Sequence, residues 1–146
     1  MNKIKAYGVC VYKKYKNSYK ILLCKSVLSY EKWGFLKGGE YENETKKQTA
    51  IREFTEESSI PIKESMLEEY FFQKNNDKDI GIYLINAVNI KNLDKYFFDC
   101  TLNSRYLSLE NSKVKFFDID KLPKIKKKQI YIMQNILENL HEKSSI

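Results

Sequence analysis

The sequence predicts an α/β sandwich built on a mixed β-sheet. Three observations carry that expectation. Strand-like segments precede a helix-like one, further strands follow, and a second helix-like segment comes last. A chain of 146 residues fits one compact domain, expected to span residues 1–146.

The elements follow in order. Lys5 to Lys14 (KAYGVCVYKK) alternates and is rich in β-formers, so it reads as a strand. Lys16, Asn17 and Ser18 make a turn, and Tyr19 to Lys25 (YKILLCK) returns as the hairpin partner. Trp33 to Leu36 is a short extended piece. Gly38-Gly39 then breaks the pattern and opens a loop to Asn43. Thr45 followed by Gln48 has capping-box spacing, so a helix starts there and runs to about Ser58. Its Ala50, Ile51 and Phe54 share a side suited to packing on a sheet. Ile60-Pro61 ends it, because proline disfavours helix at the residue before it. Glu68 to Gln73 and Ile80 to Val88 read as strands separated by the turn Asn75, Asn76, Asp77. Asn89 to Leu107 reads as loop with a short helix. Val114 to Ile119 (VKFFDI) is a last strand, stopped by Leu122-Pro123. Ile130, Met133, Ile136, Leu137 and Leu140 then repeat with helical period.

Composition excludes several classes. The chain is 42% hydrophobic and 31% charged, which suits a globular protein rather than a disordered one. No apolar run is long enough to span a bilayer, so no membrane partner is expected. Met1 to Lys5 is polar and basic with no signal-peptide core behind it. Cys10, Cys24 and Cys100 are widely spaced and form no CxxC pair, which argues against zinc and against a disulfide framework. Cys10 and Cys24 lie in apolar runs, so buried thiols in a reducing, cytoplasmic compartment are expected. The single histidine, His141, sits in the polar C-terminal stretch, which leaves Ser-His-Asp, Cys-His and HExxH chemistry without their histidine. Acid–base work falls to carboxylates, Lys or Tyr. The formal net charge of +7, with lysines clustered at Lys13–Lys20, Lys46–Lys47 and Lys124–Lys128, favours polyanionic partners, though lysine is also a common solubilising residue.

The informative segment is 38–60. Glu53, Glu56 and Glu57 stand at i, i+3 and i+4, so they share one helix face. Three carboxylates on one face repel unless a positive charge sits among them. Arg52 offsets one; a hard divalent cation such as Mg²⁺ or Mn²⁺ offsets the rest, and carboxylate oxygens are the ligands it prefers. The glycines ahead of the helix allow backbone to approach a ligand, and a helix N-terminus favours anions. A solvated acidic helix face would account for the glutamates alone, but not for the full spacing.

That spacing, Gly38, Glu44, Arg52-Glu53-Phe54, Glu56-Glu57 and Ile60, resembles the Nudix box G-x5-E-x7-R-E-U-x-E-E-x-G-U, with U bulky and apolar. Ser59 alone departs, standing where the family has glycine. If that position is left-handed, serine costs on the order of 1 kcal/mol there. Trp33 to Gly38 (WGFLKG) resembles the W-x-x-P-K-G lead-in of some Nudix branches, with Leu36 in place of proline. Val114 to Pro123 resembles the family's closing strand, and Glu110 lies where many members carry a further catalytic glutamate.

The resemblance implies the Nudix fold, an α/β/α sandwich, and a divalent-metal-dependent pyrophosphohydrolase. It implies metal binding by Glu53, Glu56, Glu57 and the Gly38 carbonyl, with Arg52 orienting the glutamates and Glu44 bracing the loop. Glu110 or a box glutamate, such as Glu53 or Glu57, is the general base. Lys37 is expected at phosphate. Trp33 either stacks on a base or packs in the core. Among substrates, the lead-in points to mRNA decapping, with capped RNA as partner and a methylated nucleoside diphosphate as product. Asymmetric dinucleoside-tetraphosphate hydrolysis is the alternative, and a small nucleotide or diphosphoinositol substrate also fits. A Nudix fold used only for binding is disfavoured, because Glu44, Glu53, Glu56 and Glu57 are all retained.

Overall fold

The structure is a computed structural model that describes residues 3–28 and 31–144. An eight-stranded mixed sheet runs through the molecule. Its strands are β1 (Ile4–Tyr15), β2 (Ser18–Ser26), β3 (Leu36–Gly39), β4 (Tyr70–Gln73), β5 (Lys78–Asn86), β6 (Phe97–Phe98), β7 (Thr101–Leu102) and β8 (Asn111–Asp118). The order across the sheet is β4-β5-β1-β2-β8-β7-β6, with β3 paired to β1. Helix α1 (Lys46–Ser58) covers one face and α2 (Ile130–Ser144) the other. The expected α/β/α sandwich is present.

β1 explains the architecture. It pairs antiparallel with β2 and β3 along one edge and parallel with β5 along the other. A strand so enclosed buries both faces, and Ala6 through Tyr12 are all buried. Tyr7, Val9 and Val11 point to α1; Cys10 and Tyr12 point to α2. Gly8 makes the third pairing possible: a Cβ there would lie 2.1 Å from the Leu36 carbonyl oxygen of β3. One expectation changes here. Gly38-Gly39 does not open a loop, since both residues belong to β3, opposite Tyr7 and Ala6. The strand continues because Leu36, fully buried, anchors it to the core.

The capping box is formed. Thr45 Oγ1 accepts from the Gln48 amide at 3.1 Å, and Gln48 Oε1 accepts from the Thr45 amide at 2.9 Å. Ala50 and Phe54 are fully buried against the sheet, with Ile51 at the margin. Burial of a phenylalanine of this kind stabilises by roughly 1.5–3 kcal/mol. Ser59 ends the helix in the left-handed region, φ 64° and ψ 7°, its amide donating to the Thr55 carbonyl. On α2 the buried face is Ile132, Met133, Ile136 and Leu140. Ile130 begins the helix and is exposed, so Ile132 takes the inward place that the spacing gave to Ile130.

Residues 89–107 hold 3₁₀ turns and the β6–β7 hairpin, whose turn residues Asp99 and Cys100 both have positive φ. A left-handed turn without glycine leaves little trace in sequence. Cys10 and Cys24 are buried free thiols, and burial pushes both well above the ordinary thiol range. No described helix is long and apolar enough to cross a membrane.

Candidate active site

The site is built where α1 passes over β3. Arg52 is its hub. Its Nε donates to Glu44 Oε2 at 2.6 Å and its Nη2 to Glu44 Oε1 at 2.9 Å, a two-pronged pair. Nη2 also donates to the Gly39 carbonyl at 2.8 Å, while Nη1 reaches Glu53 Oε1 at 2.9 Å and Glu56 Oε1 at 3.3 Å. The guanidinium lies 3.6 Å from the centre of the Tyr41 ring. Glu44 also accepts from the Tyr41 amide and the Thr49 hydroxyl, so it ties the 40–45 loop to α1. The Arg52 guanidinium holds the Glu44 carboxyl down at about 2.

Glu53 rests on β3. A Cβ built at Gly38 would lie 1.9 Å from Glu53 Oε2, so only glycine lets the carboxylate settle there. Burial pushes the Glu53 carboxyl up, against the pull of Arg52. Glu57, one turn on, is deeper, at 6% exposure. The Asn111 side-chain amide donates to its Oε2 at 2.8 Å, and the Cys24 thiol lies 3.7 Å from the same oxygen. Oε1 of Glu57 is buried with no hydrogen-bond partner among the described residues. Burial pushes this carboxyl up to about 7; Asn111 opposes the rise, and the charge of Glu53 adds to it. Glu56 points outward and is exposed.

A cleft of about 490 Å³ opens beside Glu57, lined among others by Lys37, Glu110, Asn111 and Lys126. Glu110 sits in the turn just ahead of β8, its carbonyl accepting from the Val27 amide, and its charge bears on both Glu53 and Glu57. The fold therefore gathers Lys37, Glu57 and Glu110 from three separate parts of the chain. Burial pushes the Lys37 ammonium down to about 8, helped by the like charges of Lys78 and Lys126.

Trp33 is elsewhere. It is buried in the α2-side core, edge-on to Phe117 at 4.7 Å between ring centres. Core packing, not base stacking, accounts for its position. The exposed apolar side chains beside the carboxylates are Val27, Leu28 and Leu109, none of which sequence reasoning singled out. Asn111 was also missed, since an asparagine ahead of a strand reads as a turn residue.

The donor set suits a hard divalent cation. Carboxylate oxygens are its preferred ligands, and a buried, unpartnered Glu57 Oε1 is costly unless something positive meets it. Among the described residues no three acidic, cysteine or histidine side chains are already gathered as a ligand set. Glu53 and Glu56 lean on Arg52 through one oxygen each.

A carboxylate helix braced by an arginine over a glycine strand defines a Nudix-type hydrolase site. The chain belongs to the NUDIX domain family, whose model matches residues 4–138. It is a Nudix pyrophosphohydrolase. No curated protein matches it in sequence. Among solved structures it is similar to a NUDIX hydrolase from Nitrosomonas europaea, at 21% identity and TM-score 0.67, covering 97% of this chain and 74% of that one. It is similar to a C. elegans Ap4A hydrolase in a binary complex, at 21% identity and TM-score 0.59, covering 97% and 96%. A MutT structure from work on Aliivibrio salmonicida and Vibrio cholerae matches at 17% identity and TM-score 0.62, covering 94% and 98%. At these identities the likeness is one of fold.

Proposed function

We propose that the chain hydrolyses a phosphoric anhydride in the 5′ cap of mRNA, releasing a methylated nucleoside diphosphate. The observation that carries the hydrolytic part is the Glu53–Glu57 pair over Gly38, with one Glu57 oxygen buried and unpartnered. Mg²⁺ or Mn²⁺ would be held by Glu53, Glu56, Glu57 and the Gly38 carbonyl. When bound, such an ion neutralises phosphate oxygens and lowers the pKa of an attacking water. Arg52 fixes the rotamers of Glu53 and Glu56, and Glu44 fixes Arg52. Lys37, beside Glu57 in the cleft, meets the charge that builds on the phosphate oxygens. Glu110, exposed at the rim of the same cleft, takes the proton of the attacking water at its carboxylate.

The cap reading is supported by the Trp33–Gly38 lead-in and by a net charge of +7, which suits an RNA body. Val27, Leu28 and Leu109 offer an apolar rim for a base beside the carboxylates. A second reading, asymmetric hydrolysis of a dinucleoside tetraphosphate, is favoured by the end-to-end match with the C. elegans Ap4A hydrolase. The test gives the protein, with Mg²⁺ or Mn²⁺, cap-labelled RNA in one tube and diadenosine tetraphosphate in another. Release of the methylated nucleoside diphosphate, competed by uncapped RNA, supports decapping. ATP plus AMP from the second tube, with capped RNA intact, replaces decapping by the dinucleotide reading.

A further inference from the structure

A second cavity, of about 680 Å³, adjoins the catalytic cleft, and Lys37 and Lys126 line both. Its walls are mainly basic, with Glu31 and Asp77 as the acidic residues of the described lining: Lys78, Lys124 and Lys127 join those two, and among the described residues none of the five forms an ion pair. Lys128 is paired with Asp77. Among the described residues of the lining Ile80 is the one apolar side chain, and none is aromatic.

The lysines are held on a fixed backbone. The Trp33 amide donates to the Lys124 carbonyl at 2.8 Å, and the Lys126 amide to the Trp33 carbonyl at 2.9 Å. Gln129 Oε1 accepts from the Phe35 amide at 2.8 Å. Gln73 donates to the Lys128 carbonyl at 2.7 Å and accepts from the Ile132 amide at 2.8 Å. Buried glutamines thus pin both flanks of a segment that is almost entirely lysine. Like charges collected on a rigid frame repel each other, at a cost to the fold that an anion in the cavity would cancel. Bases bind single strands through aromatic faces, and none of the described lining residues offers one, so what the described lining presents is suited to phosphate.

We propose that this cavity extends the active site and binds a second run of phosphates, carried by the substrate beyond the anhydride that is cleaved. The inference rests on the hydrolytic reading above and narrows its substrate class. Two sources share the chemistry: the phosphodiester backbone of an RNA, and a longer linear polyphosphate chain.

The test measures binding by calorimetry in EDTA, without turnover. The probes are sodium tripolyphosphate and an uncapped five-nucleotide RNA. The proteins are the wild type, Lys78→Ala/Lys127→Ala, Lys124→Glu and Glu138→Gln. Saturable binding to the wild type is expected, about tenfold weaker in the double variant and in Lys124→Glu. It is unchanged in Glu138→Gln, whose side chain is exposed on α2 and lies outside the cavity. Binding of the RNA, displaced by tripolyphosphate, assigns the cavity to a nucleic-acid backbone. Binding of tripolyphosphate alone assigns it to a polyphosphate chain. No saturable binding of either probe, or equal affinity in the lysine variants that keep a wild-type melting temperature, overturns the proposal. A protein that binds tripolyphosphate yet hydrolyses neither capped RNA nor diadenosine tetraphosphate keeps the cavity and loses the hydrolytic reading.

Discussion

The side-chain amide of Asn111 donates to Oε2 of Glu57 at 2.8 Å and leaves Oε1 of the same carboxylate without a partner. One oxygen is thereby fixed, and the other is aimed. Asn111→Ala removes that fixing contact from a buried acid. The expected result is a loss of about 1–3 kcal/mol in stability and a roughly 10–100-fold weaker dependence on added Mg²⁺. Thermal melts and a metal titration of the rate check both; an unshifted metal midpoint would dismiss the positioning role.

Glu53→Gln and Glu57→Gln remove one charge each from the face that should meet the metal. Turnover should be essentially abolished while circular dichroism stays that of the wild type. Gly38→Ala tests the same site from the strand side. Its methyl group would displace the Glu53 carboxylate, the far end of a flexible side chain, rather than backbone. The variant should fold with a near-normal melting temperature and lose most of its turnover. Wild-type rates in any of the three would remove the metal-site assignment.

Acid should expose the Glu44–Arg52 brace. The Glu44 carboxyl is held at about 2, below its ordinary 4.5, so the folded state favours the ionised form. A depressed folded pKa contributes stability that is fully present above about pH 4.5 and is lost as pH falls toward 2. The melting temperature of the wild type should therefore exceed that of Glu44→Gln by a constant margin above pH 5, and the margin should shrink through pH 4 and 3. A margin independent of pH would show that packing, not charge, sets the difference.

Ser59 holds φ at 64° where the family pattern has glycine. Ser59→Gly should relieve on the order of 1 kcal/mol of backbone strain, less what is lost with the exposed hydrogen bond from Ser59 Oγ to the Tyr106 carbonyl. The net gain should raise the melting temperature by roughly 2–4 °C at most. A lower melting temperature would mean that the contact with Tyr106 outweighs the strain.

Much of this site was legible because its residues lie close in sequence. The helix start and the shared face of the glutamates follow from local spacing, and Thr45 caps the helix as that spacing implies; the left-handed Ser59 follows from the family resemblance, whose pattern has glycine there. What escaped is what tertiary contact decides. Asn111 becomes a partner of Glu57 only once β8 is laid beside β2. For Trp33 the sequence favours the core only slightly over a base, and it is the contact with Phe117 that fixes its place. Gly38-Gly39 looked like a breaker because pairing with β1, which makes a strand of it, leaves no local mark. Asp99 and Cys100 turn a hairpin without the glycine that would have announced it.

The parallel ladder between β1 and β5, from Ile4 opposite Lys78 to Tyr12 opposite Asn86, sets an order of events in time. Neither face of the N-terminal hairpin can be covered by neighbours in sequence alone. Closing so long an intervening loop is entropically slow, and the rate of folding follows such distant pairings. During synthesis the first two strands therefore emerge with sticky surfaces on both sides and wait for α1 to cover one face, for β5 to pair, and for α2 to cover the other face. The lysines that close that hairpin, at Lys13, Lys14, Lys16 and Lys20, keep its exposed end soluble through the wait.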